Sequence, residues 1–121
     1  MAALIRRGEK PLAARDEIPP GTLYLLILKT LSVNGRLHGY EIAEGIHRAS
    51  KDVLEVEEGS LYPALQRMLI KGWVTAEWGV TEGNRRARYY TLTPAGQKQL
   101  QLEVSQFERV MGAIFRVVQT T

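Results

Sequence analysis

The hydrophobic pattern changes its period at Gly72, and this change constrains the fold more than any other feature of the chain. Before Gly72, the segment GSLYPALQRMLIK carries apolar residues at helical spacing. The residues on that shared face are Leu61, Leu65, Met68 and Leu69. After Gly72, Val74, Ala76 and Trp78 alternate with polar residues, which is the period of a β-strand. The pattern therefore predicts a helix that leads directly into a strand.

A second strand follows a short polar and basic segment, so the two strands are expected to form a hairpin. Residues 81–88 include Gly83 and Asn84, which tolerate the backbone angles of tight turns. Alternation resumes at Tyr90 and Leu92. The predicted tip also carries three arginines, namely Arg85, Arg86 and Arg88. A helix followed by a basic hairpin is the layout of a winged helix, a module that lays its helix in a DNA groove.

Two further helices are predicted before this unit. Residues 21–33 are apolar on several sides, which indicates a helix in the centre of the fold. Residues 38–49 have only a narrow apolar stripe and should form a second helix. The third helix is expected to begin with Ser60 as its N-cap, which places Pro63 in the first turn.

The final helix has a strong start signal and an apolar stripe. Thr93 is the expected N-cap and Pro94 the first helical residue. Apolar residues then recur at alternating spacings of four and three, as in a coiled-coil seam. They are Leu100, Val104, Phe107, Met111, Ile114 and Val118. Packing of the stripe onto its own domain is the alternative. Because so small a domain cannot easily cover the stripe, a partner surface is expected, most simply a second copy of the chain.

Length and composition favour one small domain, and the motifs divide the chain into a DNA-binding domain with extensions at both ends. The chain has 121 residues and a formal net charge of +3, which suits a polyanionic partner. We divide it into a mixed-charge N-terminal arm at 1–19, a winged helix-turn-helix domain at 20–95 and a dimerisation helix at 96–121. The absence of cysteine excludes disulfides and fits a reducing cytoplasm, and no segment predicts a membrane span.

The outer face of the third helix supplies candidate DNA contacts. Gln66 could read an adenine edge, and Arg67 could reach guanine or phosphate. Tyr62 and Pro63 could pack on sugar or a thymine methyl, and Ser60 at the helix N-terminus could hold a phosphate. An ordinary solvated helix face is the alternative interpretation. The arginine-bearing hairpin favours DNA, because its three long cationic side chains can reach phosphates or enter a minor groove.

The N-terminal arm could add a second flanking contact, although short mixed-charge tails are more often only disordered. Its basic residues are Arg6, Arg7, Lys10 and Arg15.

The sequence offers little for catalysis or for a cofactor. His38 and His47 lie nine residues apart without a carboxylate or cysteine constellation, so structural roles are expected for both and no metal site is predicted. No phosphate-binding loop or nucleophile elbow is present. The aromatic residues could line a pocket for a planar effector, although aromatics in a small protein usually belong to the core. Those considered are Tyr24, Trp73, Trp78, Phe107 and Phe115.

Three motifs in this order resemble the PadR family of bacterial transcriptional regulators. They are LHGYEI, EGSLYPALQRMLIKGWV and RRARYYTLTPAG, within a resemblance that covers residues 21–102. The single terminal helix looks like the small subgroup of that family. The resemblance implies a dimeric winged helix-turn-helix repressor in which Tyr62, Pro63 and their neighbours enter the major groove. It also implies that the hairpin contacts the flanking backbone and that the terminal and first helices form the dimer.

The sequence therefore predicts a mainly α protein with a two-stranded β-wing and an added C-terminal dimerisation helix. Its expected function is that of a cytoplasmic, homodimeric and sequence-specific repressor of transcription. Two half-sites would lie roughly 34 Å apart in a pseudo-palindrome of double-stranded DNA. The alternatives are a winged-helix protein-interaction module and a small-molecule-binding dimer with secondary DNA binding. Some members of the family respond to aromatic compounds, but no residue match here identifies an effector.

Overall fold

The computed structural model describes residues 16–19 and 21–120, which form a mainly helical domain with a small antiparallel sheet. The four helices and the two hairpin strands are those that the sequence predicts, and three further strands of two residues each accompany them. The helices are α1 (Leu23–Asn34), α2 (Gly39–Ala49), α3 (Glu58–Ile70) and α4 (Pro94–Val118). The strands are β1 (Asp16–Glu17), β2 (Leu37–His38), β3 (Leu54–Glu55), β4 (Val74–Val80) and β5 (Arg86–Leu92).

Helix α1 lies at the centre of the core, as its apolar pattern predicts. Ile27 and Leu28 are completely buried, and Leu31 is nearly so. Side chains from α2 and α3 close the core around them, with Ile42 and Ile46 from α2 and Leu61, Leu65 and Met68 from α3. This packing fixes the angle between the two helices of the helix-turn-helix unit and leaves the outer side of α3 exposed.

Local capping fixes the starts of α2 and α4. The Thr93 hydroxyl accepts a hydrogen bond from the Gly96 amide at 3.0 Å, and Pro94 occupies the first helical position, which confirms the predicted start of α4. His38 caps α2 through its ring Nδ1, and the Glu41 carboxylate accepts a bond from the His38 amide at 3.0 Å. His38 is thus a structural residue, as expected.

His47, the other histidine, also has structural partners. Its Nδ1 lies 3.0 Å from the Leu54 carbonyl oxygen, and the carboxylates of Asp52 and Glu55 each lie 3.4 Å from a ring nitrogen. These contacts hold the end of α2 against the link that leads to α3.

The predicted start of α3 is wrong. The helix begins at Glu58, after an N-cap at Glu57 that makes no side-chain capping bond. Ser60 is therefore the third helical residue rather than the cap. Pro63 lies inside the helix, where its missing amide removes one helical hydrogen bond. The sequence pattern indicated the wrong start because Ser60 is the only residue near the observed start with a favourable capping side chain, whereas the helix is capped three residues earlier, at Glu57.

The hairpin gains a third strand that the sequence did not predict. Strands β4 and β5 pair antiparallel from Val74 opposite Leu92 to Val80 opposite Arg86. Strand β2 joins the other edge of β5, with Leu37 opposite Tyr90. Because β2 directly precedes α2, this pairing ties the base of the hairpin to the helix-turn-helix unit.

Part of the N-terminal arm belongs to the folded domain. Asp16–Glu17 pair in parallel with Leu54–Glu55 in the link between α2 and α3, and Ile18 packs against the core. Residues 16–18 thus contact the folded domain, although the sequence assigned them to the arm. The four basic residues of the arm, Arg6, Arg7, Lys10 and Arg15, lie outside the described residues.

Helix α4 joins the domain through its first turns only. Gly96 and Leu100 are buried, and Val104 packs against the core. Most apolar side chains further along α4 are exposed, including Phe107, Ile114 and Val118. Within residues 16–19 and 21–120, we find no helix with the length and apolar character needed to cross a membrane.

Candidate nucleic-acid interface

The outer face of α3 is open to solvent while its inner face is buried. Leu61, Leu65 and Met68 point into the core, which confirms the predicted inner face. Tyr62, Pro63, Gln66 and Arg67 are all exposed. The helix therefore presents one polar and partly aromatic side to a partner.

The two faces of the hairpin differ in chemistry because side chains alternate along β4 and β5. On the inner face, Val74 pairs with Leu92, then Ala76 with Tyr90, Trp78 with Arg88 and Val80 with Arg86. This face starts in the core at the base of the hairpin and becomes aromatic and basic towards its tip. Of the three predicted tip arginines, only Arg85 lies in the turn, whereas Arg86 and Arg88 belong to strand β5.

A groove of about 530 Å³ separates α3 from the inner face of the hairpin. It brings together five of the predicted DNA-binding residues, which are Tyr62, Gln66, Arg85, Arg86 and Arg88. Ser60, Pro63 and Arg67 do not line it. The groove also includes His38, Tyr40, Trp78 and Tyr90, which sequence reasoning did not assign to DNA binding.

Tyr62 is held in place by the backbone of α2. A Cβ atom added to Gly39 would lie 2.6 Å from the Tyr62 hydroxyl oxygen and 2.7 Å from its ring carbon Cε1. A larger residue at position 39 would therefore displace the Tyr62 ring from its place at the start of α2. The LHGYEI segment at the start of α2 therefore helps to set the shape of the α3 surface, through the contact between Gly39 and Tyr62.

Tyr90 forms part of the floor of the groove, where its side chain is almost completely buried. Burial raises the pKa of the Tyr90 hydroxyl above its ordinary value of 10.0, while nearby Arg88 lowers this pKa and Tyr62 raises it. The hydroxyl therefore stays protonated at neutral pH and can donate a hydrogen bond.

The three arginines of the groove differ from Arg36 in their ion-pair partners. Arg36 lies against the opposite face of the hairpin, where it forms an ion pair with Glu77 at 3.0 Å and covers the Tyr89 ring. In contrast, no carboxylate in the part of the chain described lies within ion-pair distance of Arg85, Arg86 or Arg88. Among the residues that the structure describes, no carboxylate therefore neutralises these three arginines of the groove.

Two of the residues predicted to contact DNA, Arg67 and Ser60, have partners within the protein. Arg67 donates a hydrogen bond from Nε to the Tyr24 hydroxyl at 2.6 Å, so its guanidinium is engaged with α1 rather than directed into the groove. The Ser60 amide donates to the Glu57 carbonyl at 3.0 Å, and the side chains of Glu57 and Glu58 add negative charge there. This end of α3 is consequently a poor place for a phosphate.

The apolar stripe of α4 is divided between the core and the surface. Leu100 is only 5% exposed and Val104 packs against the core, so both residues, which the sequence assigned to the dimer interface, stabilise the domain itself. Phe107, Met111 and Ile114 line an apolar groove of about 660 Å³ together with Leu25 of α1. Val118 is exposed beyond its end.

The model of the transcriptional regulator PadR-like family matches residues 27–102. The chain belongs to this family. Regulators of this kind are in general not enzymes. Among the described residues, no group of three histidine, aspartate or glutamate side chains could hold a metal ion.

The chain is also similar to other proteins in sequence and in structure. A protein of Lysinibacillus sphaericus is 31% identical over 97 residues, which cover 79% of this chain and 87% of that protein. The structure of a transcriptional regulator from Clostridium thermocellum is 28% identical with a TM-score of 0.74, covering 82% of this chain and 95% of its own. A winged-helix DNA-binding protein from STIV shares the fold at 22% identity, with a TM-score of 0.59 over 72% of this chain and 88% of its own.

Proposed function

We propose that this PadR-family protein acts as a homodimeric, sequence-specific repressor of transcription in the bacterial cytoplasm. The observation that carries this proposal is the groove between α3 and the hairpin. One wall is the exposed helix face with Tyr62 and Gln66, and the other carries arginines without a carboxylate partner among the described residues. A polar helix face beside uncompensated positive charge suits the edge of a duplex and its phosphates.

The two walls of the groove would make different contacts, with α3 on the bases and the hairpin arginines on the phosphates. Gln66 has the amide group that can bond both to N6 and to N7 of adenine in the major groove. Tyr62 and Pro63, exposed on the same helix, would pack on sugar or on a thymine methyl group. Arg85, Arg86 and Arg88 would hold phosphates beside the site that α3 reads, which adds affinity without adding sequence preference.

The far half of α4 supports the dimer. Phe107, Ile114, Phe115 and Val118 are all at least 40% exposed, although each is large and apolar. A second copy of the chain would bury this surface against the same surface of its partner around a two-fold axis. Such a dimer would present two α3 helices to half-sites about one helical turn apart. Binding across a promoter would then exclude the transcription machinery.

Selection of bound sequences from random double-stranded DNA tests the proposal. We expect a pseudo-palindromic motif whose half-site centres lie about 10 base pairs apart. Gln66→Ala should change the selected bases while non-specific affinity is retained. A library that shows no enrichment at low salt would contradict the DNA-binding function and favour a protein partner. An enriched site without two-fold symmetry would contradict the dimer.

A reporter gene placed behind the selected site tests the sign of regulation. Repression predicts that expression rises when the regulator is deleted and falls again when it is restored. A fall in expression on deletion would identify an activator instead.

A further inference from the structure

Trp78 has an unusual environment on the hairpin. Its side chain is 58% exposed, although it lies on the inner face, in phase with the buried Val74. It faces Arg88 directly across the two strands, and the Arg86 guanidinium carbon lies 4.5 Å from the centre of its rings. The Arg88 guanidinium carbon lies 5.8 Å from the same centre. One indole thus supports two cations.

This arrangement orients the two guanidinium groups without neutralising them. Cation–π contacts hold an arginine side chain but leave its N–H donors available for another acceptor. The Nε of Arg88 is buried, and no hydrogen-bond acceptor for it is present among the described residues. Arg36 differs, because Glu77 already satisfies its Nε and one terminal nitrogen.

The position of the indole matches one strand of DNA lying in the groove. Arg86 and Arg88 are two residues apart on β5, so their backbone positions are about 7 Å apart. That separation is comparable with the distance between neighbouring phosphates along a strand. The exposed part of the indole lies beside both cations, where the deoxyribose that joins two such phosphates would pass.

We propose that Trp78 is a DNA-contacting and positioning residue, which packs on a deoxyribose while holding Arg86 and Arg88 against the phosphates on either side. This inference rests on the proposed DNA-binding function and names a contact within the same groove. The predicted partner is the sugar-phosphate backbone of a duplex. The contact therefore contributes to affinity for every sequence and does not change the selected motif.

Single-tryptophan fluorescence tests the sugar contact. Trp73→Phe leaves Trp78 as the only tryptophan, and Trp78→Phe leaves Trp73, which packs edge-on against Tyr24 away from the groove. The probe is a random-sequence duplex of about 30 base pairs, long enough for two half-sites. Saturating DNA should lower acrylamide quenching of Trp78 by about half, as expected when a half-exposed indole becomes covered. Quenching of Trp73 should not change.

Affinity measurements with matched variants test the positioning role. Trp78→Leu keeps an apolar side chain but removes the ring, so affinity for the random duplex should fall roughly fivefold. The salt slope should flatten by about one phosphate contact for each protomer. Trp78→Phe keeps an aromatic ring and should remain within about twofold of wild type. Melting followed by circular dichroism confirms that each variant is folded.

The outcomes separate this inference from the function on which it rests. If labelled DNA binds but the quenching of Trp78 does not change, the sugar contact is refuted while the DNA-binding function stands. If Trp78→Leu binds with the wild-type affinity and salt slope, the positioning role is refuted. If wild type binds no DNA at low salt, both the inference and the proposed function fail.

Discussion

Replacing Gly96 with alanine tests how α4 is attached to the hairpin. An alanine Cβ at this position would lie well inside contact distance of the Trp73 carbonyl oxygen and 2.7 Å from the Leu92 carbon Cδ1. The carbonyl cannot simply turn away, because it accepts a hydrogen bond from the Thr93 amide at 3.0 Å. Helix α4 must therefore move away from the hairpin.

The expected change in the free energy of unfolding combines two destabilising effects and one stabilising effect. An overpacked site costs about 1–3 kcal/mol, and losing the bond between Thr93 and Trp73 costs about 1 kcal/mol. Alanine is better than glycine in a helix by about 1 kcal/mol, which offsets part of the loss. We expect the free energy of unfolding to fall by about 2 kcal/mol. For a chain of this length, that loss lowers Tm by roughly 8 °C.

Thermal and urea unfolding at a fixed protein concentration measure this effect, and Gly59→Ala is the matched control. Gly59 also lies in a helix, but an added Cβ there would meet nothing within 4 Å. The control should be as stable as wild type or slightly more stable, because alanine is the better helix former. A Gly96→Ala protein with wild-type stability would refute the argument. An equal loss in both variants would show that the close approach is not its cause.

Three further predictions test other parts of the structure. Gly39→Ala should displace the Tyr62 ring. DNA affinity, measured by fluorescence anisotropy, should then fall roughly tenfold, as expected for the loss of one interface contact. Unchanged affinity would contradict the role of Tyr62. Ile114→Glu should raise the dimer dissociation constant more than about tenfold, because a carboxylate would be buried without a partner; sedimentation that still finds wild-type dimers would contradict the interface. Because burial raises the pKa of Tyr90, its stabilising contribution is complete below pH 10.0 and is lost as the pH rises through the folded-state pKa. The free energy of unfolding, measured with urea at several pH values above 10.0, should therefore fall less steeply with pH in Tyr90→Phe than in wild type. The same dependence on pH in both proteins would refute this.

Local chemistry made much of the fold predictable. The α4 start depends on Thr93 and Pro94 alone, and the core face of α3 depends only on helical spacing. The predicted start of α3 was wrong because it also depended on a capping residue, whereas the helix begins after Glu57, whose side chain makes no capping bond. A method that relies on capping residues cannot find a helix that begins without one.

Contacts between distant segments limited the prediction of the site. Arg67 has helical spacing with the outer face of α3, yet a hydroxyl 43 residues away in α1 engages it. The pairing of β2 with β5 likewise depends on how α2 packs, which no local pattern encodes. The sequence could have predicted the position of Trp78, because counting residues back from the hairpin turn places Trp78 opposite Arg88.

The salt dependence of DNA binding tests the central claim most directly, namely that the groove beside α3 holds a duplex through its unpaired arginines. Anisotropy of a labelled duplex gives log Kd against log salt for wild type and two variants. Arg85→Ala with Arg86→Ala should flatten the slope by about 1.8 for each bound protomer. Arg36→Ala should leave it unchanged, since Arg36 is paired with Glu77 on the opposite face. An unchanged slope in the double variant, or equal flattening by Arg36→Ala, would contradict the account.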